Sequence, residues 1–145
     1  MRIAFPEHNV GEGAVRAALA VLASHTSTPN NGHVAIWEGW GGNSPAPEAP
    51  RLDIPNREML LFTGPIEALR DAPALVWDEP GILVEPHLVW PEDQAWCLAC
   101  EVDEDIEFTV GCSLPVAQAL ANAFPGRVRR VPYGADLPLY RDQLE

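Results

Sequence analysis

HLVWPEDQAWCLACEVDEDIEFTVGC, residues 87–112, is the stretch whose pairing decides the fold. Residues 95–103 and 107–112 read as two strands joined by a turn over 104–106. A strand sends successive side chains to opposite faces, so Trp96, Leu98, Cys100 and Val102 share one side while Cys97, Ala99, Glu101 and Asp103 share the other. A three-residue loop from Glu104 to Ile106 sets Val102 opposite Phe108, Cys100 opposite Val110 and Leu98 opposite Cys112, which makes one face wholly apolar. A slip of one residue would turn a hydrophobic set toward water, so this register is preferred.

The chemistry of the stretch follows from that pairing. Cys97 and Cys100 point in opposite directions on a strand, whereas a C-x-x-C pair chelates or does redox work where a turn or helix N-terminus makes its sulfurs converge. The thiols are therefore read as small buried hydrophobes, with no disulfide, metal or cofactor expected. Glu101, Asp103 and Glu107 fall on the outer face, with Glu104 and Asp105 in the turn. EVDEDIEF lacks the spacing and glycine of a calcium loop, and nothing in it forces the burial that a general acid needs. A solvated face, or a docking surface for a basic partner, remains.

Outward from the hairpin, residues 11–25 place Val15, Leu19 and Leu22 on one face of a helix. TSTPNNG (26–32) is a turn, HVAIWEGW (33–40) a strand, and GGNSPAPEAP (41–50) a loop. REMLLFTG (57–64) reads as a strand stopped by Gly64-Pro65, and 65–70 as a short helix with proline in its first turn. Prolines at 73, 80, 86 and 91 confine the next region to short extended pieces, ILVE and HLVW. Residues 113–124 form a helix with Ser113 at the N-cap and Pro115 in the first turn, and 127–134 a last strand. No sequence repeat or domain linker stands out. The expectation is a single α+β domain over 1–145, a mainly antiparallel sheet with two main helices packed on it.

Composition bounds the partners. The chain has 145 residues, 47% of them hydrophobic, enough for one domain core. Its nine basic residues are all arginine and stand against 21 carboxylates, a formal charge of −12. Such a field disfavours nucleic acid and anionic membranes and permits a basic protein partner. No apolar run approaches the roughly 20 residues that cross a bilayer, and three cysteines suit reduced thiols, so a cytoplasmic setting is expected.

No serine-nucleophile elbow, phosphate-binding loop, dinucleotide fingerprint or H-E-x-x-H segment is present. His87, beside Leu88 and Val89, reads as a satisfied edge or core residue. Of the five tryptophans, Trp37 and Trp96 read as core, while Trp40 and Trp90 are the candidate interface anchors. The leading expectation is a non-enzymatic binding protein, an immunity-type or regulatory partner of a basic protein, contacting it through Trp40, Trp90, Glu101, Asp103, Glu104, Asp105 and Glu107. One alternative is a metal-dependent hydrolase using Glu92, Asp93, Glu101 or Asp103. The other is a structural or assembly component.

Three segments, TPNNGHVAIWEGWG (28–41), LLFTGPIEA (60–68) and WPEDQAWCLACEVD (90–103), together resemble a family of uncharacterised actinobacterial proteins. That family shares W-E-G-W-G, L-F-x-G-P and W-P-x-D-x-x-W-C-x-A-x-E-x-D in the same order. The resemblance covers about residues 26–124 and implies one domain in a bacterial cytoplasm; it brings no catalytic residues. FTVGCS stands here where the family often has a Tyr-Val-Gly-Gly-Ser type of segment, and the acidic turn belongs to this chain.

Overall fold

The computed structural model describes residues 2–6, 13–37, 46–54, 57–73, 86–100 and 107–131, with the backbone alone for 2–6, 57 and 107. Among the described residues eight strands form one sheet: β1 (Arg2–Pro6), β2 (Gly32–Trp37), β3 (Arg51–Ile54), β4 (Arg57–Gly64), β5 (Leu88–Pro91), β6 (Trp96–Ala99), β7 (Glu107–Cys112) and β8 (Arg129–Val131). The α-helices α1 (Ala14–Ala23) and α2 (Leu114–Ala123) and a 3₁₀ helix (Ile66–Asp71) accompany them among the described residues. The strand order is β3-β4-β2-β5-β6-β7-β1-β8, and every described pair is antiparallel. The expected α+β architecture is thus what the chain adopts. None of the described helices is long and apolar enough to cross a membrane.

The strand order repeats. β3-β4-β2-β5 and β6-β7-β1-β8 have the same connectivity: a first strand lies between a later hairpin and a last strand reached through a helix. Each half is the interlocked pair of crossovers of a split β-α-β unit, with β2 parting β4 from β5 and β1 parting β7 from β8. The second half, β1-α1-β6-β7-α2-β8, holds the first as an insertion between α1 and β6. Sequence shows no such repeat because connectivity depends on which strands pair, and unrelated apolar strands pair equally well.

The helices lie on one face. Val15, Leu19 and Leu22 of α1, Val116 and Leu120 of α2, and Ile66 and Leu69 of the 3₁₀ helix pack against Val34, Ile36, Val89, Trp96, Leu98, Phe108 and Val110. The predicted stripe of α1 is fully buried. Gly32 lets the 3₁₀ helix come close: a Cβ there would overlap Ile66 Cδ1 and lie 2.9 Å from Leu69 Cδ1 and 3.1 Å from the Gly64 carbonyl oxygen. On the opposite face Ala35, Met59 and Thr109 are also buried, so the sheet centre is withdrawn from water on both sides.

Two of the sequence readings of these elements change. The β6–β7 register sets Leu98 opposite Val110 and Trp96 opposite Cys112, two residues from the expected pairing. A two-residue slip keeps every side chain on its own face, so the hydrophobic pattern cannot choose between the two. Ser113 is the N-cap of α2 as read, with extended backbone, although its side chain makes no capping bond. Strands β1 and β3 were not anticipated; RIAFP is short and ends in proline, and RLDI follows directly on a proline-rich loop.

Candidate functional site

One end of the sheet gathers the polar chemistry. The β5–β6 hairpin turns through residues 92–95, where the Gln94 N–H donates to the Pro91 carbonyl at 2.9 Å. Gln94 takes a left-handed backbone, φ 57°, which is uncommon outside glycine and is a local strain.

Asp93 fixes this turn to the α1–β2 connection. Its carboxylate accepts from the Ser27 N–H at 2.8 Å, the Ser27 hydroxyl at 2.9 Å and the Ala95 N–H at 3.1 Å. Its own N–H donates to Thr28 Oγ1 at 3.1 Å, and the Glu92 N–H donates to the Asn31 carbonyl at 2.9 Å. The Ser27 backbone N–H, with the Thr26 and Ser27 side chains and the Ala95 N–H, holds the Asp93 carboxyl down to about 2. A carboxylate accepting several donors prefers its charged form. Asp93 therefore builds structure, and its lone pairs are engaged rather than offered to a substrate.

Beside it, His33 Nε2 contacts Glu92 Oε2, and the His33 ring stacks on Trp90 with centroids 5.5 Å apart and planes 28° apart. β-pairing explains the stack, because His33 lies opposite Trp90 on β2 and β5. The same registers continue the row: Trp90 comes beside Cys97, and Cys97 lies opposite Gly111. Trp96 points the other way, into the core, where its indole N–H donates to the Leu22 carbonyl at 3.0 Å.

These residues border an open cleft of about 450 Å³, lined by Trp90, Gln94, Ala95, Trp96, Cys97, Gly111 and Cys112. Burial pushes the Cys97 and Cys112 thiols up from their ordinary range, so both are poor nucleophiles. The three cysteines form no disulfide with one another; Cys112 is buried, and Cys97 and Cys100 are partly buried rather than fully so. Among the described residues no group of three His, Cys, Asp or Glu side chains comes together to hold a metal.

The expected anchors separate into two sets. Trp90 is half-buried at the cleft, with Glu92 exposed beside it. Glu107 is placed by its backbone in β7, opposite Pro6. Trp40, Glu101, Asp103, Glu104 and Asp105 lie outside the described residues. His87 is buried and satisfied, as its sequence context suggested: ring Nδ1 accepts from the Trp37 backbone N–H at 2.8 Å, and the His87 backbone N–H donates to the Ala35 carbonyl at 3.0 Å. Trp37 is only partly buried rather than core. Sequence reading missed His33, Gln94 and Gly111 as site residues. A glycine inside T-V-G-C, an otherwise good strand, was the signal available for the last.

Comparisons with known protein families, curated proteins and solved structures return no match.

Proposed function

We propose that this chain is a non-enzymatic protein-binding module, an immunity-type or regulatory partner of a basic protein. The observation that supports it best is the pairing of a half-buried, prearranged tryptophan with an exposed carboxylate at a cleft, in a chain of net charge −12. Aromatic anchors with two side-chain torsions lose little entropy on binding, and opposite charge at the rim accelerates encounter. The metal-hydrolase alternative is less favoured, since Asp93 is occupied in joining two turns.

On this reading the neighbours of Trp90 and Glu92 in the three quoted segments serve as scaffold. Thr28, Asp93 and Trp96 hold one end of the sheet together, and Gly64-Pro65 launches the 3₁₀ helix.

The test is capture from lysate of the native host at low and high salt, using wild type, Trp90→Leu and Glu92→Gln in parallel. A basic protein retained at low salt, released at high salt and lost or weakened with both variants is the expected result. Retention indifferent to salt and to both substitutions would overturn the proposal.

A further inference from the structure

Three features of the cleft bear on what it could hold. The first is Gly111, exposed in the run of β7, where glycine weakens a strand and often marks close approach by a ligand. Internal packing does not require it: a Cβ there would meet nothing nearer than the Cys97 carbonyl oxygen at 3.9 Å, and its φ is not left-handed. The second is Gln94, held with positive φ at the turn that also lines the cleft. Strain of this kind gathers at binding sites. The third is the row of planes: His33 stacks on Trp90, and the next two positions of the row, Cys97 and Gly111, bring no ring of their own and form a low floor. A flat group laid on that floor would continue the stack along the indole.

We infer that this cleft receives the guanidinium of an arginine on the basic partner. The inference deepens the protein-binding reading and rests on it. Arginine is the side chain that is both planar and cationic: it stacks on tryptophan, lays its apolar stem over Cys97 and Gly111, and keeps its charge at the open, wet edge. The described lining carries no charge of its own to repel a cation. Glu92, with its side chain 62% exposed, and the ionised Asp93 supply the complementary charge at the hairpin. Lysine matches that charge but not the stacking plane.

Oligoarginine and oligolysine of equal length separate the two contributions. Binding is measured by isothermal titration at low salt, with the Trp90 indole N–H followed by NMR. Wild type should prefer the arginine peptide by about two- to fivefold, because the guanidinium plane stacks on the indole where an ammonium does not. Gly111→Val raises the floor, and its Cβ meets nothing nearer than the Cys97 carbonyl oxygen at 3.9 Å, so it should fold, shown by an unchanged circular dichroism spectrum. It should lose that preference while still binding both peptides. Trp90→Leu should behave likewise. Equal binding of the two peptides by wild type, or a preference that survives Gly111→Val, overturns the arginine site and leaves the basic-partner reading standing. Failure to bind either peptide removes both.

Discussion

Gly32→Ala adds one methyl group and separates strand propensity from packing. In an ordinary strand the change favours folding by about 0.5–1 kcal/mol, because alanine restricts the unfolded chain. Here the new Cβ overlaps Ile66 Cδ1 and presses on Leu69 Cδ1 at 2.9 Å and the Gly64 carbonyl oxygen at 3.1 Å. Ile66 is fully buried and Leu69 nearly so, at 0% and 4% exposure, so neither side chain has open space to swing into. Overpacking of this kind costs about 1–3 kcal/mol, which reverses the sign expected from propensity. For a chain of this size the loss corresponds to a fall of about 3–10 °C in Tm. Ile66→Val removes the atom that is overlapped. Alone it costs about 0.5–1.5 kcal/mol, but combined with Gly32→Ala the total should fall short of the sum by about 1 kcal/mol. Urea denaturation of the four proteins, with m unchanged, measures the cycle. A stabilised Gly32→Ala, or strict additivity, refutes the close approach of the 3₁₀ helix to β2.

Other consequences are as direct. Asp93 is held to about 2 from an ordinary 3.8, so its contribution to stability is fully present above 3.8 and is lost as pH falls toward 2. The stability difference between wild type and Asp93→Asn, measured by denaturation across that range, should close as acid is added; a constant difference would argue against the hydrogen-bonded carboxylate. Trp96→Phe removes the indole donor to the Leu22 carbonyl, and with the space it vacates should lower stability by about 1–3 kcal/mol. The raised Cys97 and Cys112 thiols should alkylate with iodoacetamide far more slowly in the native protein than in urea, as read by intact mass. The exposed Arg16–Asp71 pair, at 2.5 Å, should contribute under about 1 kcal/mol, so Arg16→Ala should barely shift the urea midpoint.

What the sequence determined by itself is local. The i, i+4, i+7 spacing of Val15, Leu19 and Leu22 located α1, proline and glycine marked where β4 stops and α2 starts, and alternation sorted residues 96–99 and 109–112 onto the right faces. Trp90 was legible as a partly exposed aromatic before Pro91, because proline ends a strand there. Its companions were not: His33, Gln94 and Gly111 are ordinary residues until pairing lines up β2, β5, β6 and β7. Only the tertiary structure chose the register of β6 on β7, the insertion of β1 between β7 and β8, and the repeated strand order. The physical reason is common to all three. Hydrophobic alternation has a period of two and is unchanged by a slip of two residues or a change of neighbour, so the choice falls to contacts between distant segments, such as the Trp96 indole on the end of α1 and the Asp93 carboxylate on the turn at Ser27.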